Sequence, residues 1–306
     1  MLKKNPIFPL AAILVVLLVL AWVTGAFRRN PSTLQLPSLA VKAEEVVRFR
    51  IERPDRDPVA LERNGAGWQL AAPMRYPADS SIAARFVEDL AKTTLESVVS
   101  TNPARYANYG VADTTAIRLI VYRQQGDSLR FFWGNTGPDF DSRYVRLATD
   151  ERIFLARTNL SFPEELDRWR DKTVLNVPAT QIQALEVTHE GQTYGVRRGE
   201  GGWELVENGR AVPADSAAAS RWAGQFNPFR ADGFFDESLA DSVRMAPDYV
   251  LTLRLPGEVQ QVLYFDERNG GWALVRGDDE TVFRLYAYRR NQLLPEVTTL
   301  RAKNAR

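Results

Sequence analysis

Two short stretches with the same plan decide the fold of this chain: LERNGAGWQL at residues 61–70 and VRRGEGGWEL at residues 196–205. Each passes through charged residues into a glycine-containing turn, and then into tryptophan, one polar residue and leucine. Alternation of apolar and polar residues with a period of two indicates a strand with one buried face. A glycine between two such runs indicates a hairpin turn. Both stretches therefore predict a hairpin whose tryptophan, Trp68 or Trp203, anchors it in the core.

Further matched blocks follow each hairpin in the same order, at a spacing that drifts slowly along the chain. The matched blocks are Pro77–Ser80 with Pro213–Ser216, Ile117–Tyr122 with Leu251–Leu255, and Asp150–Phe154 with Asp279–Phe283. Ordered self-similarity of this kind is typical of a duplicated unit. We interpret residues 44–160 and 179–290 as two tandem repeats of one antiparallel-sheet-plus-helix unit, and the fold class as α+β.

Each unit is predicted to contain a meander of strands and one helix. An opening strand is indicated where Val47, Phe49 and Ile51 alternate with charged residues. The first helix should begin at Asp79 or Ser80, since such side chains accept hydrogen bonds from the first turn. Its apolar face is expected to comprise Ile82, Phe86, Val87, Leu90, Leu95 and Val98. Later strands are expected at 117–123, 129–133, 144–147 and 153–156, with counterparts at 250–255, 262–265, 272–275 and 282–286.

The segments outside the two units have patterns of their own. A connecting helix is predicted over residues 161–178, because Ser161 is a suitable N-cap and Pro163 suits the first helical turn. Residues 30–43 are expected to form a linker, and the charged residues 291–306 a frayed C-terminal tail.

An uncharged apolar run from Ile7 to Phe27 is long enough to cross about 30 Å of hydrocarbon as a helix. The expected anchor side chains are Ile7, Leu10, Leu14, Leu18, Trp22 and Phe27. We therefore expect residues 1–29 to form a cytoplasmic tail and a single-pass transmembrane helix in the lipid bilayer of a bacterial inner membrane. The globular part would then be periplasmic or otherwise extracytoplasmic. A cleaved signal peptide is the alternative interpretation.

Composition excludes several classes of function. The chain has 39 basic and 38 acidic residues without a basic stretch, so no nucleic acid partner is expected. It contains no cysteine, which excludes disulfides, cysteine-ligated metals and cysteine nucleophiles.

Few residues have the spacing of a chemical site. His189 is the one histidine and has no neighbouring metal-ligand pattern, so we expect a turn residue. Asp139 and Asp141 lack the remainder of a calcium-binding loop. The sequence thus predicts no catalytic residue, no metal site and no cofactor.

Several motifs together carry a resemblance to a known family. These motifs are Gly67–Leu70 in the hairpin, Pro77–Ser80 at a helix start, Tyr109–Val111 before a strand, and Trp169–Lys172 leading into the second unit. From about Glu44 to Tyr288, the chain resembles a bacterial domain-of-unknown-function family numbered 4340. The resemblance implies an N-terminal membrane segment and genes that accompany ABC-type exporters of the gliding-motility kind. The second unit departs from the pattern near Arg244 and Met245, where Tyr-Gly-Val is replaced.

Three functions are compatible with this pattern. The first is a non-enzymatic, membrane-anchored accessory protein whose partners are the subunits of an ABC-type transport complex. The second is a module that binds envelope glycan or peptide, for which Tyr106, Tyr109 and Trp133 are the candidate ligand-facing aromatics. The third is a hydrolase that uses a pair of carboxylates.

Overall fold

The computed structural model describes residues 36–277 and 279–302. Strands dominate it, with 45% of the residues in strands and 23% in helices. The expected α+β class is therefore wrong, because large antiparallel sheets form most of the structure.

In the described part of the chain, nine strands form the first sheet in the order β4-β3-β2-β1-β6-β7-β8-β9-β5. Its strands are β1 (Val46–Arg53), β2 (Arg56–Asn64), β3 (Gly67–Ala72), β4 (Tyr76–Pro77), β5 (Thr94–Ser100), β6 (Ile117–Arg123), β7 (Ser128–Thr136), β8 (Ser142–Leu147) and β9 (Ile153–Arg157). Every pairing is antiparallel. Helix α1 (Ser80–Lys92) lies between the two edge strands in the chain, β4 and β5.

A second sheet of nine strands occupies the C-terminal half of the described residues, in the order β14-β13-β12-β11-β17-β18-β19-β20-β16. Its strands are β11 (Ala184–His189), β12 (Gln192–Gly199), β13 (Gly202–Glu207), β14 (Arg210–Pro213), β16 (Gly233–Phe234), β17 (Tyr249–Arg254), β18 (Gln260–Arg268), β19 (Gly271–Arg276) and β20 (Val282–Tyr286). The helices of this half are α2 (Ser216–Gly224), α3 (Ala240–Met245), α4 (Arg290–Leu293) and α5 (Val297–Leu300). Between the sheets, β10 (Thr173–Leu175) pairs with β15 (Phe229–Arg230).

Each sheet buries one face against its own helix. In the first half, Phe86 of α1 stacks on Phe49 of β1 with ring centroids 4.7 Å apart, and Trp68 packs 5.3 Å from Phe49. In the second half, Trp222 of α2 and Trp203 of β13 lie in the corresponding core. Both hairpin tryptophans are buried, as predicted.

The predicted N-caps of the helices are confirmed. An oxygen of Asp79 accepts hydrogen bonds from the amides of Ser81 and Ile82, and Asp215 does the same for Ala217 and Ala218. These bonds satisfy amide groups that the first turn of a helix leaves without a partner.

Two helical predictions are wrong. Helix α1 ends at Lys92, and Leu95 and Val98 belong to strand β5, which pairs with β9. The expected connecting helix over residues 161–178 is reduced to a single 3-10 turn at Leu166–Arg168. Phe162 and Trp169 are instead held in the first core, where both rings contact Phe86, at 5.6 and 5.4 Å. These tertiary contacts outweigh the local N-cap signals.

The expected linker and tail each place some apolar side chains in a core, although many of their described residues are exposed. Leu39 and Val41, in the predicted linker, are buried in the first core. Leu293, Leu294 and Leu300, in the predicted tail, are buried in the second core. Burial of these apolar side chains outweighs the local polarity from which disorder was predicted.

No helix among residues 36–277 and 279–302 has the length and apolarity needed to span a membrane. The expected transmembrane helix is therefore absent from the described structure. Its anchor residues, Ile7 to Phe27, lie outside the described residues.

The turn at Tyr109–Val111 requires a close approach between two backbone segments. Gly110 adopts a positive φ of 71°, and a Cβ atom on Gly134 of β7 would lie 2.1 Å from the carbonyl oxygen of Tyr109. No side chain fits in that space without a backbone shift. The glycines therefore allow this turn to cover the sheet.

We predict that Gly134→Ala lowers the free energy of unfolding by roughly 1–3 kcal/mol, because overpacking forces the turn off the sheet. Urea denaturation of the full chain measures this change. Gly224→Ala is the matched control, since a Cβ there meets nothing within 4 Å. An equal loss in both variants would show that the close approach is unimportant.

Candidate functional site: the junction and cleft between the two sheets

The segment Trp169–Lys172 connects the two sheets and hydrogen-bonds to both. The carbonyl of Trp169 accepts from the amide of Asp79, and the amide of Asp171 donates to the carbonyl of Pro77, each at 2.8 Å. One residue later, the carbonyl of Lys172 accepts from the amide of Ala231 at 2.8 Å. The segment that connects the two halves is therefore hydrogen-bonded to both of them along its length from Trp169 to Lys172.

Arg170 is the buried centre of this junction. Its guanidinium carbon lies 4.3 Å from the ring centroid of Tyr76 in β4 and 3.6 Å from that of Phe234 in β16. Nη2 donates to Glu237 at 3.1 Å, and only 6% of Arg170 is exposed. Because the two rings come from different halves, the cation binds the halves together through cation–π attraction and through ion pairs with Glu237 and, at 4.0 Å, Asp167.

A second contact between the two halves is an ion pair between Arg230 and Asp79. Nη2 of Arg230, in β15, donates to Oδ2 of Asp79 at 2.6 Å. Burial acts to raise the pKa of Asp79, but hydrogen bonds from Ser81, Arg230 and Ile82 outweigh it and hold that pKa below its ordinary value. Asp79 thus caps α1 and joins the two halves at the same time.

A cleft of about 620 Å³ opens next to these contacts. The residues that line it include Tyr76 of the first half, Thr173 and Leu175 of β10, and Gln261, Arg276 and Phe283 of the second half. Burial raises the pKa of the Tyr76 hydroxyl, so that group remains protonated and available as a donor at neutral pH. The lining combines apolar side chains with a few polar groups, a pattern typical of binding clefts.

Two carboxylates at the cleft are already held by the protein. Asp171 accepts hydrogen bonds from the amide and hydroxyl of Thr173, at 3.0 and 2.8 Å. Asp279 pairs with Arg276 at 2.9 Å and accepts from the amide of Thr281. Arg276 in turn donates to the carbonyl of Val174 in β10 at 2.9 Å. These contacts fix the walls of the cleft.

The aromatics predicted to face a ligand lie elsewhere, on the first sheet. Trp133 is 1% exposed and its ring belongs to the core, so it lines no open groove. Tyr106 is half-buried, with its ring 4.5 Å from the guanidinium carbon of Arg146 and its hydroxyl donating to the carbonyl of Glu151. Tyr109 packs edge-on against Tyr144. These rings therefore serve internal packing.

The remaining candidates are not among the residues that line the cleft. His189 ends β11, where its ring stacks 4.0 Å from Tyr249. Asp141 pairs with Arg157 at 2.6 Å, and the backbone carbonyl of Asp139 accepts from Ser142.

Sequence analysis missed the junction, although the motif Trp169–Lys172 contained Arg170. No local pattern links Arg170 to Tyr76 and Phe234, because their proximity depends on how the halves pack. The one available signal was an arginine directly after a tryptophan between the two units.

We predict that Arg170→Ala lowers the free energy of unfolding by roughly 2–4 kcal/mol, because it removes two cation–π contacts and a hydrogen bond to Glu237. Arg301→Ala is the matched control, since Arg301 forms the equivalent bridge with Ala214 but pairs with Glu207 at the surface. Its cost should be below about 1 kcal/mol. Thermal unfolding and proteolysis of residues 158–178 report whether the junction loosens. Similar losses in both variants would contradict the role of Arg170.

We predict that the junction weakens in acid through Asp79. A carboxyl group with a lowered pKa in the folded protein stabilises the fold above its unfolded pKa, near 3.8. That stabilisation is lost as the pH falls through the folded value. Asp79→Asn should therefore flatten the stability profile between about pH 5 and pH 2. Arg230→Gln should flatten the profile in part, because Asp79 still caps α1. The free energy of unfolding, measured against pH by urea denaturation, checks this. An unchanged profile in Asp79→Asn would refute the coupling between Asp79 ionisation and stability.

Comparisons with known proteins give one match. The family model of a domain of unknown function, DUF4340, matches residues 68–252, which span the junction and parts of both sheets. Neither a curated protein nor a solved structure matches the chain. The match covers more than half of the chain, which therefore belongs to the DUF4340 family.

Proposed function

We propose that this chain is a non-enzymatic accessory protein that binds a polypeptide partner in the cleft between its two sheets. The partner that we propose is a subunit of an ABC-type transport complex, met at the extracytoplasmic side of a bacterial inner membrane. The cleft next to Arg170 is the observation that carries this proposal. The resemblance described above supports the choice of partner.

The walls of the cleft suit an extended peptide. Residues Thr173–Leu175 of β10 line it, and among the described residues β10 has a strand neighbour on one side only. An extended segment can lie beside such a strand edge, and pockets there select its side chains, although Arg276 already binds the carbonyl of Val174 on this edge. Thr173 and Val177 are partly exposed on this wall, whereas Val174 and Leu175 are buried, and Gln261 and Arg276 supply polar groups on the opposite wall.

We also infer that the two halves are tandem copies of one unit. The equal number and order of strands support this inference. In the first half, Nε of Arg63 donates to the carbonyl of Val46 while its guanidinium lies 4.9 Å from the Trp68 ring. In the second half, Nε of Arg198 donates to the carbonyl of Ile182 and lies 4.5 Å from Trp203.

The segments that follow each copy support the same inference. Arg170 forms an isolated bridge with Ala78 of the first half, and Arg301 forms one with Ala214 of the second. In a duplicated chain the first of these segments leads into another unit, which explains why Arg170 is buried at a junction. The cleft is then a product of joining two copies.

The test is co-purification of the tagged full chain from a mild-detergent extract, followed by identification of ABC-type transporter subunits. We predict that Gln261→Arg abolishes the co-purification, because it places a long charged side chain in the cleft. Gln260→Arg is the matched control: it lies next to Gln261 in β18 but is exposed and lines no part of the cleft.

Retention of the subunits by Gln261→Arg would contradict the cleft as the binding site. Absence of transporter subunits from the wild-type eluate would contradict the proposed function itself. Urea denaturation of both variants verifies that any loss of binding does not come from unfolding.

A further inference from the structure

Three aromatic rings fill one end of the second sheet. His189, the last residue of β11, stacks on Tyr249, the first residue of β17, at 4.0 Å and an angle of 12°. Tyr249 meets Trp272, the second residue of β19, edge-on at 5.7 Å. Arg290 donates to the hydroxyl of Tyr249 at 2.8 Å. This end of the sheet is therefore packed with side chains.

The first sheet has different residues at the corresponding strand positions. Arg53 ends β1, Ile117 begins β6, and Arg143 is the second residue of β8. The register supports the match, since Ile117 pairs with Trp133 as Tyr249 pairs with Phe265. Three mutually packed rings of the second half thus correspond to two arginines and an isoleucine in the first half.

A cavity of about 340 Å³ occupies this end of the first sheet. Ile117, Leu160 and Phe162 contribute apolar surface to it, and the completely exposed ring of Phe140 lies at the same site. The cavity therefore has an apolar wall next to the two cationic side chains.

Neither arginine of the cavity is neutralised by a carboxylate in an ion pair. Arg53 donates Nη2 to the carbonyls of Phe162 and Pro163, both at 3.0 Å. The Arg143 side chain makes no hydrogen bond or ion pair with any described residue, and its guanidinium lies 5.7 Å from the Phe162 ring. Burial lowers the pKa of Arg143, which reflects the cost of holding a cation away from water.

The carboxylates at the cavity are engaged by other arginines. Asp141 pairs with Arg157 at 2.6 Å, and Glu164 pairs with Arg56 at 2.8 Å. Arg53 and Arg143 therefore retain donors that an incoming anion would satisfy. Guanidinium groups match the planar or tetrahedral oxygens of carboxylates and phosphates better than an ammonium group does.

We propose that this cavity binds an amphiphilic anion, in which a carboxylate or phosphate group is joined to an apolar chain. The anionic group is bound by Arg53 and Arg143, and the apolar chain packs on Ile117, Leu160 and Phe162 and under the exposed ring of Phe140. The site is separate from the cleft between the sheets and does not depend on the proposed partner.

Isothermal titration of the full chain with octyl phosphate tests the proposal. We expect saturable binding of octyl phosphate, at least about tenfold weaker binding of inorganic phosphate, and no binding of octanol. Arg143→Gln should weaken octyl phosphate binding by at least about tenfold, because it removes a charge-assisted contact. Arg130→Gln is the matched control, since Arg130 is exposed on the neighbouring strand β7 and has no described side-chain partner.

Phe140→Ser provides a variant that leaves the core untouched, because this ring is completely exposed. This substitution should weaken the binding of octyl phosphate and leave the binding of inorganic phosphate unchanged. Binding of octanol as strong as that of octyl phosphate would overturn the anionic site. An equal loss in Arg130→Gln and Arg143→Gln, or the absence of octyl phosphate binding by the wild-type chain, would overturn it as well. Binding of inorganic phosphate as tight as that of octyl phosphate would overturn the apolar part of the site.

Discussion

Two adjacent residues of the connecting segment, Trp169 and Arg170, hold the two halves of this chain together. The indole of Trp169 packs against Phe49 and Phe86 in the first core. The guanidinium of Arg170 lies between one ring of each half. Trp169 ends the 3-10 turn Leu166–Arg168, and Arg170 forms an isolated bridge with Ala78, so one short stretch places a side chain in the first core and the next at the contact between the halves. The cleft exists because this junction sets the spacing of its walls.

Burying the cation of Arg170 is costly, and the geometry of the junction offsets that cost. Desolvation disfavours a charge in the interior unless other groups replace its hydration. Two ring faces and Glu237 replace it here, although Nε remains without a hydrogen-bond partner among the described residues. A buried charge bound on several sides has few alternative positions, so it specifies one arrangement of the halves. Arg143, by contrast, has no carboxylate partner among the described residues, and its guanidinium meets only the Phe162 ring, at 5.7 Å.

The two halves share their hairpins and differ at their ends, and packing explains both facts. Trp68 and Trp203 occupy the hairpin core, where a change of volume is costly, and the exposed residues Arg63 and Arg198 cover their rings. The side chains at the open end of each sheet are less restricted in volume, because water can occupy the space that they do not fill. Rings fill that end in the second half, around Tyr249, and a cavity remains in the first.

The sequence by itself determined the hairpin tryptophans, the Asp79 cap and most strand positions, because each depends on residues close together in the chain. Strand β6 and strand β20 begin and end where the alternation predicted. Tertiary structure alone decided the connecting segment, the C-terminal segment and the junction. The local signals near Ser161 favour a helix, but the segment instead packs Phe162 and Trp169 against Phe86 in the first core, and tertiary burial outweighs local propensity. Contacts between residues far apart in the chain leave no local sequence pattern. For this reason the mostly β class, the cleft and the placement of Arg53 and Arg143 without a carboxylate partner could be recognised only in the folded chain.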